Sequence, residues 1–94
     1  MIEDDYINFK YKVNKSLGKG GFGEVYLAEN KKTNSQVAIK YLDFKKMEEY
    51  GRDKIVQEGQ ILFKLNHENI IKFEDFTYNN SRAILIMEFE KEEI

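Results

Sequence analysis

Apolar positions along this chain alternate in twos over several short stretches and recur at helical spacing over one. Phe9 to Leu17 alternates as a first strand. Gly23 to Glu29 follows a glycine-rich segment and runs through Val25, Tyr26 and Leu27, a β-branched and aromatic composition that predicts a second strand. In the third, Gln36 to Leu42, alternation puts Val37 and Ile39 on one face and Ala38 and Lys40 on the other. Ile70 to Tyr78 and Arg82 to Glu88 flank Asn79-Asn80-Ser81 and read as a hairpin. Between the third strand and that hairpin, Ile55, Gly59, Leu62 and Leu65 form one apolar stripe, which predicts a principal helix from about Met47 to Leu65. The charged stretch from Asp43 to Gly51 is expected to hold a short helical turn before it. The pattern predicts an α+β fold, a five-stranded antiparallel sheet with one main helix.

Length and charge narrow this picture. Ninety-four residues support one domain, which buries only about two-thirds of its unfolded surface. Residues 1–8 form an acidic lead-in expected to be loose, residues 9–89 the folded unit, and residues 90–94 the start of a linker. Asn30 to Ser35, NKKTNS, is a polar turn. The absence of cysteine excludes disulfide stapling and fits a reducing compartment. Met1 to Asp5 has neither a basic region nor an apolar run, and no stretch approaches membrane-spanning length, so a cytoplasmic location is expected. The net charge of −2, mixed along the chain, gives no support for a nucleic-acid surface.

The candidate chemistry begins at Gly18-Lys19-Gly20-Gly21-Phe22-Gly23. Glycines at this spacing let a backbone turn tightly and approach a phosphate with no Cβ in the way. A dinucleotide-binding loop would run into a helix, and a Walker-type loop would place Lys and then Ser or Thr after its last glycine. Here Glu24 and Val25 follow and open a strand, so the loop reads as a flap between two strands, or as an ordinary hairpin turn. Ala38 leaves room for a flat ring under such a flap, and Lys40 on the same face can meet phosphates as a point charge; most strand lysines are merely solvated. Glu58 sits on the shoulder of the helical stripe, next to Gly59. Facing the sheet it needs a cation, for which Lys40 is the candidate; facing water it is an ordinary surface glutamate.

Together, Gly18 to Val25, Val37-Ala38-Ile39-Lys40 and Glu58 resemble the signature set of the protein kinase family: glycine loop, V-A-I-K strand and helix glutamate. Leu65 to Ile71 is similar to that family's link into its fourth strand, and Ala83 to Glu88 to its fifth strand. The resemblance runs from about Phe9 to Phe89 and implies the small, N-terminal lobe, with the large lobe absent from these residues. It implies ATP as ligand, with backbone amides of Gly18, Lys19, Gly20, Gly21, Phe22 and Gly23 over the phosphates and Phe22 at the flap tip. Lys40 would contact the phosphates, held by Glu58. Val25 and Ala38 would press on the adenine, Leu17 would edge the pocket, Met87 would control access behind the base, and main-chain groups of Glu88 and Glu90 would bond its edge. Leu62 and Phe73 would belong to the family's internal hydrophobic column.

Catalytic-loop H-R-D and metal-binding D-F-G sequences do not occur in the 94 residues. The resemblance therefore implies no catalytic residue here and Mg²⁺ only through the large lobe. Asp43, Asp53 and Asp75 are not placed to substitute. The lone histidine, His67, lies between helix and fourth strand, where the family uses it for packing. Two functions follow: the ATP-binding lobe of a kinase, most simply Ser/Thr-directed, or a free-standing lobe that binds a partner protein through its uncovered face.

Overall fold

The computed structural model describes residues 2–20, 23–48, 51–57 and 73–89. In chain order these form α1 (Asp5–Lys10), β1 (Tyr11–Lys19), β2 (Gly23–Asn30), β3 (Gln36–Asp43), a 3₁₀ turn (Phe44–Lys46), α2 (residues 51–57), β4 (Phe73–Tyr78) and β5 (Arg82–Glu88). The strands make one antiparallel five-stranded sheet in the order β1-β2-β3-β5-β4. The α+β architecture expected from the sequence is the one observed. β3 lies at its centre because β5, not β4, pairs with it, Ile39 facing Ile86 and Lys40 facing Leu85.

Alternation in β2, β3 and β5 gives the sheet two different faces. On the outer face Tyr26, Ile39 and Ile86 form one cross-strand row, beside Ala28 and Val37 on one side and Tyr41 and Ile84 on the other. Val37, Ile39, Ile84 and Ile86 are completely buried there. On the inner face Leu42, Ala83 and Leu85 pack with Phe44 under Ile55 and Val56 of α2. Each fully buried aliphatic side chain stabilises the fold by roughly 1.5–3 kcal/mol, so both faces need cover.

The outer face is covered by the residues expected to be loose. Residues 1–8 are expected from the sequence to be a loose lead-in, yet Ile2 and Ile7 are buried with Tyr26, Ile39 and Ile86 in one apolar cluster. The physical reason is a short helix with both ends satisfied. Asp4 caps α1 by accepting from the Ile7 N–H at 3.2 Å, while Asp5 in its first turn and Lys10 in its last complement the helix dipole. The first strand accordingly begins at Tyr11 rather than Phe9 and runs on to Lys19 rather than Leu17. Phe9, read as a strand residue, sits on the solvent side of α1 and is 81% exposed.

The short helical turn expected between Asp43 and Gly51 is present as the 3₁₀ turn Phe44–Lys46. Asp43 caps this turn by accepting from the Lys45 N–H, and Met47 closes it with its N–H on the Phe44 carbonyl at 3.2 Å. Met47 then packs on the inner apolar cluster, and the described helix begins at residue 51. The β2–β3 connection is a polar turn as expected. Asn30 Oδ1 accepts from the backbone of Lys32 and Thr33, and Asn34 takes the left-handed φ of 63° that asparagine tolerates. Residues 70–72, assigned to the fourth strand, lie outside the described residues. Among the described residues no helix is long and apolar enough to cross a membrane.

The outer cluster carries two phenols whose ionisation reports on it. Burial, reinforced by the Glu74 carboxylate that accepts from its hydroxyl, pushes Tyr11 up to about 12. Burial and a hydrogen bond to Glu24 push Tyr26 up to about 12 as well. Burial raises Tyr41, packed on the same cluster, as well, so the folded protein keeps protons that the unfolded chain releases near pH 10, and stability held below pH 10 is lost as pH rises towards 12. A tyrosinate absorbance titration should show late steps that coincide with unfolding by circular dichroism and that vanish one at a time in Tyr11→Phe and Tyr26→Phe. All six tyrosines ionising near pH 10 with the fold intact is the contrary result.

Candidate functional site

β1 and β2 meet at the glycine-rich segment, where the Gly20 N–H donates to the Gly23 carbonyl at 2.8 Å and closes the hairpin. Gly18 faces Val25 across the ladder, after an irregularity at Leu17 that leaves that side chain unpaired and 44% exposed. Lys19 faces Glu24. Gly21 and Phe22, expected over the phosphates, lie outside the described residues.

The glycines do different work. A Cβ added at Gly18 would meet nothing within 4 Å, and one at Gly20 would only touch the Gly23 carbonyl at 3.9 Å. One at Gly23 would run into the Tyr41 carbonyl and the Leu42 Cα of β3. Gly23 is thus required by the close approach of two backbones within the sheet. Gly18 and Gly20 have space around them, which leaves their backbone accessible to a ligand.

Two cross-strand rows cross the inner face beside this hairpin. One joins Val25, Lys40 and Leu85; the next joins Leu27, Ala38, Met87 and Phe73. Directly opposed residues in antiparallel strands have Cβ atoms about 4.5–5.5 Å apart, so Val25, Ala38, Lys40 and Met87 share one patch. Val25, Ala38 and Met87 are half-buried and Lys40 is exposed, in contrast to the outer-face neighbours Val37 and Ile39. The fold thus presents an apolar shelf, small at Ala38, with a cation at one edge and the glycine hairpin beside it. It suits a flat ring carrying an anionic tail.

The remaining candidates divide plainly. At the far end of the shelf Glu88 is exposed, and the Phe89 N–H donates to the Gln36 carbonyl at 3.2 Å, holding the end of β5 against β3. Phe73 packs on the inner cluster of Leu42, Phe44, Ala83 and Leu85, where the hydrophobic column was expected to begin. Glu58, Leu62, His67 and Glu90 lie outside the described residues, and with Glu58 the expected Lys40 ion pair. The aspartates have structural tasks: Asp43 caps the 3₁₀ turn, and Asp75 accepts from the Phe76 N–H at 2.8 Å beside the β4 irregularity. Among the described residues no group of three His, Cys, Asp or Glu side chains is placed to hold a metal. A hollow of about 230 Å³ lined by Phe44, Arg52, Val56 and Tyr78 includes none of the shelf residues.

Sequence reasoning passed over two groups near the site. Ser16, across the β1–β2 ladder, and Tyr26, whose hydroxyl donates to Glu24 at 2.7 Å, hold the Glu24 carboxylate below the usual range. Asp4 forms an ion pair with Arg82 at 2.8 Å, both side chains 11% exposed. The signal for Asp4 was present: an N-capping residue before an acidic first turn, with apolar Ile2 and Ile7 flanking it.

Comparison with known proteins agrees with this geometry. The family model described as protein kinase domain matches residues 11–93. The chain is 38% identical over 81 residues to serine/threonine-protein kinase SIK1 of Rattus norvegicus, covering 86% of this chain and 10% of that protein. It is 35% identical over 80 residues to serine/threonine-protein kinase Nek5 of Homo sapiens, covering 85% and 11%. Among solved structures it superposes on Rad53 in complex with AMP-PNP with a TM-score of 0.71 and 27% identity, over 90% of this chain and 22% of that one. The chain therefore spans about a tenth of the length of these curated relatives.

The unequal glycines give a direct test. Gly23→Ala should lower stability by about 1–3 kcal/mol, because the obstructing atoms are backbone and cannot swing aside. Gly18→Ala and Gly20→Ala should change it by less than about 0.5 kcal/mol. Urea unfolding midpoints of the three variants check this ranking, and equal losses at all three positions contradict it.

Proposed function

The chain belongs to the protein kinase family, and on that premise we propose that it supplies the ATP-holding small lobe of a serine/threonine protein kinase. The observation that carries this reading is the common inner-face patch of Val25, Ala38, Lys40 and Met87 beside the glycine hairpin. In it the adenine lies on Val25 and Ala38, with Leu17 at the edge and Met87 behind. The ammonium of Lys40 draws the phosphates under the backbone of Gly18 to Gly23, and Glu58 steadies that lysine. Main-chain groups of Glu88 and Glu90 bond the edge of the base.

The reaction this lobe would serve is transfer of the γ-phosphate to a protein hydroxyl. That transfer needs a group to orient the attacking hydroxyl and ligands for Mg²⁺, which kinases draw from catalytic-loop and D-F-G residues. Neither sequence occurs in the 94 residues, so their own contribution is to bind and orient ATP. One wall and one cation make a weak site. The lysine contributes one charge-assisted contact, on the order of 1.5 kcal/mol, or about tenfold in affinity.

Calorimetric titration of these residues with ATP should show weak binding that Lys40→Met reduces by about tenfold while leaving the unfolding midpoint in place. Tight, Mg²⁺-dependent binding by the 94 residues, or binding indifferent to Lys40→Met, speaks against the proposal. With radiolabelled ATP the same residues should transfer no phosphate to themselves or to a generic protein substrate. Transfer abolished by Lys40→Met would require catalytic groups that the reading does not assign.

A further inference from the structure

The family match begins at residue 11, yet the apolar core begins at Ile2. Residues 2–10 are bound to the rest of the chain by several independent ties. Ile7 is completely buried and Ile2 nearly so, both on the outer face formed by Tyr26, Ile39 and Ile86. Asn8 Nδ2 donates to the Ile2 carbonyl at 3.0 Å and closes the segment on itself. The Lys31 N–H donates to the Lys10 carbonyl at 3.0 Å, fastening the end of α1 to the β2–β3 turn.

Asp4 unites these ties. One carboxylate oxygen caps α1, and the other accepts from Arg82 Nε at 2.8 Å. Arg82 is the first residue of β5 and faces Asp43 of β3 across the ladder. Its Nη1 is buried and makes no hydrogen bond among the described residues, so the guanidinium depends heavily on Asp4. Removing one member of a buried pair strands the other's charge away from water.

We propose that residues 2–10 are a strap that docks on the outer sheet face, clasped by the Asp4–Arg82 pair, and that this docking positions the inner-face residues of β3 and β5. The link is the alternation of the strands. Ile39 lies under the strap, and its neighbours Ala38 and Lys40 point to the site; Ile86 lies under the strap, and its neighbour Met87 points to the site. A strand cannot loosen on one face and stay fixed on the other. Release of the strap therefore frees the lysine and the shelf together, and it reaches β4 and α2 only indirectly, through the β4–β5 ladder and the inner cluster. The strap itself is independent of any reading of the site, and the test reads backbone protection rather than nucleotide binding.

Amide hydrogen exchange on the full chain decides the matter. Asp4→Ser keeps an N-capping oxygen but removes the charge that holds Arg82, and Ile7→Ala keeps the clasp but removes the apolar plug. Each should speed exchange in residues 36–43 and 82–88 by about tenfold, and in residues 51–57 and 73–78, which the strap reaches only through those strands, by clearly less. Each should lower the melting temperature by about 10 °C or more. Should Ile7→Ala fail to fold, Asp4→Ser decides alone. Faster exchange confined to residues 2–10, acceleration equal in every element, or no change overturns the proposal.

Discussion

Everything in this fold hangs on the alternation of β3. Its odd residues, Val37 and Ile39, are sealed in the outer core, while Ala38 and Lys40 between them face the candidate site. A pleated strand cannot rotate one side chain without moving its neighbours, and a slip of one residue would exchange the two sets completely. Burial of the outer set therefore fixes where the cation and the small residue stand. Pairing with β2 and β5 extends the rule sideways: Val25 and Leu85 are set beside Lys40, and Met87 beside Ala38. The apolar core supplies the energy, and the site inherits the geometry.

The fold class and the inner face were legible because both are written in short-range patterns. Period-two alternation marks β3, β-branched and aromatic composition marks β2, a continuous apolar run after Asn79-Asn80-Ser81 marks β5, and the spacing of Gly18, Gly20 and Gly23 before a strand separates a flap from a helix-terminus site. The sheet order was less legible. Whether β4 or β5 lies beside β3 depends on which apolar rows match across the sheet, and that is a tertiary fact. The start of the chain was misread for a related reason. Ile2, Ile7 and Phe9 look alike as apolar residues, but on a one-and-a-half-turn helix Ile7 points inward and Phe9 outward. Charge at Glu3, Asp4 and Asp5 suggests a solvated tail, whereas Asp4 spends its charge on a cap and on Arg82.

Three glycines at the family spacing invite one explanation, and the structure supplies two. At Gly23 the facing backbone of β3 fills the space a Cβ would need, so that glycine answers to the sheet. At Gly18 and Gly20 nothing within the described residues occupies the place of a side chain, which leaves room for the proposed approach of a phosphate to the backbone. Part of the motif is thus a condition for folding, and the proposed binding role rests on the rest. A single substitution at one of its positions does not by itself reveal which of the two has been lost.

The same division explains why the family match and the physical unit have different beginnings. An approach to phosphate constrains backbone conformation, residue size and charge at particular positions, and such constraints leave a recognisable string of residues. Cover for an apolar face is far less particular, because burial is non-directional and many side chains of suitable volume accomplish it. The strap meets its task with two isoleucines, a cap and one ion pair. Yet Ile39 and Ile86 are as deeply buried as any residue in the sheet, and without cover they would face water. A boundary drawn at residue 11 follows what the family has in common, whereas the packed apolar core extends at least as far back as Ile2.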